Sequence, residues 1–309
     1  MVDDFSFGLG LIQAQGTGTR FTALKANANQ IGFVGFGDSI QFNLQDVQVR
    51  LNQSSSPGMV LDFSQLDGGG LDIATGNPAK VIQLDFDSEL IEATVGQATA
   101  NVAGIVSLSG GFTFQKRMLD EVGFHGLGMN LTLGAEALVV AGQNVSAFAG
   151  INGPYRQADN SLNDDAIGFA IDDLDFALAM VAPSLGGGAT LPLNFFGLSA
   201  RAGYAGLVGT DPFLTLNATD VVLEFNGAIA GGIPLPSVYA DFSVINGGKG
   251  LDIPIGSDAD AINMSFDSNF LRVGMTATLG VFDLFDISTD FDFTFELPEI
   301  DLGLGFSLA

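Results

Sequence analysis

Apolar and polar positions alternate with period two along most of the chain. Phe291, Phe293 and Phe295 share one parity, while Asp290, Asp292, Thr294 and Glu296 share the other. Successive strand side chains point to opposite faces, so this segment predicts a strand with one apolar and one acidic face, ended by Pro298. The opening segments differ in their second face. Phe5, Phe7, Leu9 and Leu11 alternate with Ser6, Gly8 and Gly10, and Leu174, Phe176, Leu178 and Met180 with Asp175, Ala177 and Ala179. Small residues there predict a face pressed against another backbone. Turn signals such as Asp67-Gly68-Gly69-Gly70 and Asn77-Pro78 separate the alternating runs, and helix signals are thin. The pattern predicts an all-β protein.

The phase of the alternation slips twice. Ile40, Phe42 and Leu44 are even, but Val47, Val49 and Leu51 are odd; Leu214 and Leu216 are even, but Val221, Leu223 and Phe225 are odd. One extra residue in a strand produces such a slip, so a β-bulge or bend is expected at Asp46 and at Asp220.

That shared slip belongs to a duplication. Leu24 maps onto Leu198 and Asp46-Val47 onto Asp220-Val221 at an offset of 174 (198 − 24). Gly70-Leu71-Asp72-Ile73 and Phe86-Asp87-Ser88 recur at Gly250-Leu251-Asp252-Ile253 and Phe266-Asp267-Ser268, an offset of 180 (250 − 70). Val2-Asp3-Asp4-Phe5 aligns with Ile171-Asp172-Asp173-Leu174 at 169 (171 − 2), and Phe112-Thr113-Phe114 with Phe293-Thr294-Phe295 at 181 (293 − 112). The order is collinear and the offset drifts slowly, as loop insertions would cause. Residues 1–170 therefore read as one β-repeat unit and 171–309 as a second, truncated unit with no counterpart to residues 116–168. Ile300 to Phe306 resembles the opening strand again. The expected architecture is an elongated repeat protein of stacked or sandwiched amphipathic strands, with a β-solenoid or β-barrel as alternatives.

Composition narrows the function. The chain has 309 residues, 35 Asp and Glu against 10 Lys and Arg, and a net charge of −25. So few bases cannot neutralise a phosphate backbone, which excludes nucleic acid as an expected partner. Cysteine is absent and His125 is the single histidine, so thiol chemistry and multi-histidine metal sites are excluded. Gly37-Asp38-Ser39-Ile40 imitates the nucleophile block of an esterase family, but its copy reads Asp211-Pro212-Phe213 and His125 lacks a suitably spaced acid. His125 reads as a turn residue. No enzyme activity and no catalytic residue is expected.

Metal is the one exception to an expected absence of cofactors. Asp159, Asn163, Asp164 and Asp165 crowd oxygen ligands into one loop, the donor type that Ca2+ takes. Asp258-Ala259-Asp260 is a smaller cluster, and Gly247-Gly248-Lys249-Gly250-Leu251-Asp252, with its near-copy at Gly68 to Asp72, reads as a glycine turn before a strand. The N-terminus shows no basic and apolar leader, and no run nears the roughly 18 apolar residues of a spanning helix.

Blocks such as Ala23-Leu24-Lys25-Ala26, Val60-Leu61-Asp62-Phe63-Ser64 and Asp172-Asp173-Leu174-Asp175-Phe176-Ala177 resemble recurrent units of giant bacterial extracellular, adhesin-like surface proteins. The resemblance implies a structural module at the cell surface. The expected function is a non-enzymatic part of an extracellular filament, surface layer or adhesin. It would assemble head-to-tail with copies of itself, would depend on cations that screen its charge, and would have no membrane partner. Two alternatives stand beside it. One is an outer-membrane β-barrel, which the alternation fits but Trp 0 and Tyr 3 fit badly, and in which Asp290 and Asp292 would have to face the lumen. The other is a carrier of lipid or another hydrophobic ligand.

Overall fold

The computed structural model describes residues 1–32, 40–56, 59–77, 80–126, 128–184, 193–230, 233–235, 237–255, 260–282 and 284–296. The strands in chain order are β1 (Val2–Asp3), β2 (Ser6–Gln13), β3 (Arg20–Gly32), β4 (Ile40–Ser54), β5 (Leu71–Ala74), β6 (Val81–Leu84), β7 (Leu90–Val102), β8 (Val106–Gly126) and β9 (Met129–Ile151). They continue with β10 (Ile167–Pro183), β11 (Asn194–Val208), β12 (Leu214–Ala230), β13 (Ile233–Leu235), β14 (Tyr239–Asp241), β15 (Leu251–Pro254), β16 (Ala261–Met264), β17 (Phe270–Val281) and β18 (Phe285–Glu296). One short helix, α1 (Ile245–Gly248), lies between β14 and β15. The protein is all-β, as the alternation predicts.

Fourteen strands join a single sheet, along the path β1–β3–β4–β7–β8–β9–β10–β11–β12–β17–β18, with β2 also on β3, β13 on β12 and β14 on β8. Every pairing is antiparallel. Among the described residues the sheet does not close: β1 and β2 form one edge and β18 the other. The long amphipathic strands thus lie in one continuous layer rather than in two facing sheets.

Both positions where the alternation slips have left-handed backbone, Asp46 at φ 52° and Asp220 at φ 51°. Asp4, Asn144 and Asp173 do the same at φ 46°, 48° and 55°. Asp and Asn tolerate this conformation because their short polar side chains bond locally. The extra residue flips strand parity, so residues of changed parity still face the same side of the sheet.

The connections β4–β7 and β12–β17 each carry a small lobe. The first holds a 3-10 turn at Phe63–Gln65 and the β5–β6 hairpin; the second holds β14, α1 and the β15–β16 hairpin. Their internal contacts repeat. Asp62 Oδ1 accepts from the Ser64 N–H and hydroxyl, and Asp241 Oδ1 from those of Ser243. The Phe63 and Phe86 rings meet edge-on at 6.3 Å, and Phe242 and Phe266 at 6.4 Å. One amide fastens each lobe at its root. Asn52 Nδ2 donates to the Leu61 and Ser88 carbonyls at 2.9 and 2.8 Å, and Asn226 Nδ2 to those of Ala240 and Ser268 at 2.9 and 2.7 Å.

Both lobes fold onto the same side of the sheet, and the core sits beneath them. The largest cluster sets Phe242, Leu251, Ile253 and Met264 of the second lobe against Ala137, Val139, Ala177, Ala179 and Phe195 of the sheet. A second joins Phe63, Leu84 and Phe86 to Ala23. A third, beyond the bulges, gathers Phe148, Ala166, Ala170 and Val208. The small face of the opening strand is explained here, with one correction. It is pressed by side chains of the first lobe rather than by another backbone: a Cβ on Gly8 would lie 3.0 Å from Ile82 Cγ2, and one on Gly10 3.1 Å from Leu84 Cδ1.

Candidate functional site

The two faces of the sheet differ in kind. One lateral row crosses eleven of the fourteen strands of the sheet at a single level, strand to strand in register: Phe7, Ala26, Val49, Ala93, Phe114, Val140, Leu178, Leu198, Phe225, Leu271 and Phe295. All are apolar, and among the described residues no lobe covers this side; Phe7, Phe114 and Phe295 are exposed at 54%, 49% and 62%. The neighbouring row, one residue along each strand, faces the other way. It reads Ser6, Asn27, Gln48, Thr94, Thr113, Ala141, Ala177, Ser199, Glu224, Arg272 and Thr294. Three clusters of buried apolar side chains sit on this second, otherwise polar face. A water-soluble sheet normally buries its apolar face and wets its polar one. Here, among the described residues, the apolar face is uncovered, with one ion pair upon it (Lys116 and Glu136 at 2.8 Å), and the polar face carries the lobes.

Asp290 and Asp292 belong to the polar face. Asp292 accepts from Arg272 Nη2 at 3.0 Å and Asp290 from the Thr276 hydroxyl at 2.8 Å. Arg272 also meets Glu224 at 3.2 Å. In the first unit the corresponding strands carry the same pair with its charges exchanged: Arg50 meets Glu92 at 3.1 Å, in direct cross-strand register. Glu224 and Arg272 occupy those positions at offsets of 174 (224 − 50) and 180 (272 − 92). Glu92 is completed by Gln115, whose Nε2 donates to Oε2 at 3.0 Å.

Two clefts open on this face. One, of about 930 Å3, lies between the lobes: Arg50, Gln115 and Arg117 line it together with Asp85, Glu89, Asp120 and Glu121. Arg117 ties it to the second lobe by donating to the Asp252 carbonyl at 2.9 Å. The other, of about 960 Å3, lies beyond the bulges and is lined by Gln41, Gln45, Gln97, Thr99, Asn101, Ser107, Ser109 and Ser146 with Arg156 and Asp172. Asp172 is 6% exposed and accepts from Ser146 Oγ at 2.8 Å, from Arg156 Nε at 2.7 Å and from Arg156 Nη2.

The candidate Ca2+ loop, which also reads as a solvated acidic turn, follows β9 and borders this second cleft. Asp159 Oδ1 accepts from the Ser161 N–H and hydroxyl at 3.1 and 2.6 Å, which holds its carboxyl below the usual carboxylate range. Asn163 Nδ2 donates to the Asn152 and Pro154 carbonyls, and its Oδ1 accepts from the Asp165 N–H. Asp164 and Asp165 point into solvent. Among the described residues no three His, Cys, Asp or Glu side chains gather as a metal would require. Thus the loop's polar groups brace the loop itself.

His125 is a strand residue rather than a turn residue. It pairs across β8 and β14 with Tyr239, its ring stacked on that phenol at 4.9 Å, and Nε2 lies 3.8 Å from Asp241 Oδ2. Gly37-Asp38-Ser39, Pro298, the Ile300–Phe306 match and Asp258 lie outside the described residues. Residues that sequence reasoning passed over are Glu92, Gln115, Arg156 and Asp172. For Glu92 a signal existed, since aligning the units puts opposite charges at both members of a pair.

Compared with protein-family models, curated proteins and solved structures, the chain matches none of them. Among the described residues no helix is long and apolar enough to cross a membrane.

Proposed function

We propose that the chain is a membrane protein of the β-barrel type, whose apolar face meets lipid and whose polar, lobed face bounds an aqueous passage at a cell surface. The uninterrupted apolar row across eleven strands carries this reading. Strands about 4.8 Å apart and some 12 residues long give a face of roughly 2,000 Å2, on which Lys116 and Glu136 neutralise one another at 2.8 Å. Soluble monomers seldom expose apolar patches beyond about 300–600 Å2. A hydrocarbon core needs about 9–11 residues per tilted strand, and strands such as β4, β10, β11 and β12 have 15 or 17. Lipid offers no hydrogen bonds, so the β1/β2 and β18 edges are paired in the membrane. The acids that would forbid a lipid-facing β18 all project to the opposite side.

The test is flotation of the refolded protein with phosphatidylcholine–phosphatidylglycerol vesicles and protection of its strands from protease. Leu223→Arg, on the apolar face and mid-strand in β12, should cut insertion, because a cation at the midplane costs about 2–4 kcal/mol. Thr276→Arg, on the polar face, should insert normally. A protein that stays monodisperse in detergent-free buffer, ignores vesicles and tolerates Leu223→Arg would refute the reading.

The open edges favour a second reading, the structural filament. β18 is exposed at every position and, among the described residues, pairs on one side only. Edge-to-edge addition of copies would satisfy it. Detergent-free fibres in negative stain, lengthening with protein concentration, would support that reading over the first.

A further inference from the structure

We propose that the cleft beyond the bulges binds a neutral polyhydroxylated solute, a sugar of one to three rings. The proposal stands on the cleft itself and holds in a bilayer or in water. Its volume of about 960 Å3 falls within the range of small-molecule sites. Its lining is a grid set by strand register: Gln45 opposite Gln97, Thr99 opposite Ser109, and Asn101 opposite Ser107. Each of these side chains offers both a donor and an acceptor. A sugar hydroxyl does the same, and adjacent hydroxyls on a ring need donors and acceptors side by side. Grid points lie about 4.8 Å apart across strands and about 6.6 Å apart along them, the scale of one sugar ring.

Charge sharpens the choice. In a chain of net charge −25, the cleft's Arg156 and Asp172 neutralise one another, and Asp173 alone remains among its lining charges. An ionic solute would lose its hydration with no counter-charge to replace it. An apolar solute would strand the lining amides and hydroxyls without hydrogen-bond partners. The cleft between the lobes, with both signs of charge in its wall, is the opposite case and serves as an internal control.

The experiment titrates maltotriose, with gluconate as the charged control, into the full chain, either in buffer or in lauryldimethylamine oxide micelles. That detergent has no sugar headgroup to compete. Isothermal titration or saturation-transfer NMR should show saturable maltotriose binding with Kd of about 1 mM, and none for gluconate. Gln45 and Gln97 are exposed, so Gln45→Ala/Gln97→Ala should keep the wild-type circular dichroism while weakening binding tenfold or more. Arg117→Ala, in the other cleft, should leave Kd unchanged. No saturable signal, equal binding of gluconate, or a double variant that binds as well as wild type would each overturn the proposal. Vesicle flotation is read separately, so failure here leaves the membrane reading intact.

Discussion

Replacing Asn226 by Ala should loosen the second lobe while sparing the sheet. Asn226 is fully buried, and its amide donates to two carbonyls, Ala240 at 2.9 Å and Ser268 at 2.7 Å, on the two strands of chain that enter and leave the lobe. Truncation leaves both acceptors buried without a donor. Each such loss amounts to about 1–3 kcal/mol. One offset applies: Asn226 Oδ1 is itself buried without a partner, and removing it relieves that penalty. A net loss of about 2–4 kcal/mol follows. If the lobe opens locally, amides of β15 and β16 should exchange about thirty- to a thousandfold faster, at tenfold per 1.4 kcal/mol. Amides of β9 and β10, paired on both sides within the sheet, should change little. Hydrogen exchange read by mass spectrometry resolves the two regions. Asn226→Asp should be worse than Ala, since it sets a buried carboxylate against two carbonyls. Exchange in β15–β16 within twofold of wild type would refute the clamp, and uniform acceleration across the sheet would refute local opening.

Further expectations follow from the same contacts. Arg50→Glu and Glu92→Arg should each destabilise the protein, and the double exchange should recover most of the loss, because Glu224 and Arg272 already hold the reversed pair in the same register; a double-mutant cycle with no coupling would contradict this. Gly250→Ala should undock the second lobe, since its φ is +84° and a Cβ would meet the Met264 carbonyl oxygen at 2.6 Å; Gly247→Ala, at φ +67° with open space around it, should cost only about 1 kcal/mol, and equal melting of the two variants would discount the clash. Calcium, magnesium and sodium chloride at matched ionic strength should raise the melting temperature alike, through screening of the −25 charge; a rise peculiar to calcium would show that Asp164 and Asp165 close on an ion.

The sequence by itself determined what is local or periodic. Alternation declared the strands, and a parity slip located the left-handed residues Asp46 and Asp220, because one inserted residue must turn every later side chain over. The duplication announced two related units, and the lobes of both units prove to be fastened at matching positions, Asn52 and Asn226, 174 residues apart (226 − 52). Gly8 and Gly10 signalled a close approach. Only the tertiary structure decided what approached them, since Ile73, Ile82 and Leu84 arrive from a lobe about seventy residues later in the chain. It also decided which face stays bare. Alternation gives two faces to every strand but does not say which one another element covers, and that choice rests on where the lobes return. Phe293 and Asp292 are equally visible in the sequence. Their neighbours, Val273 on one side and Gly274 with Arg272 on the other, are set by pairing between distant strands, and that pairing puts the phenylalanines of β18 on one side and its acids on the other.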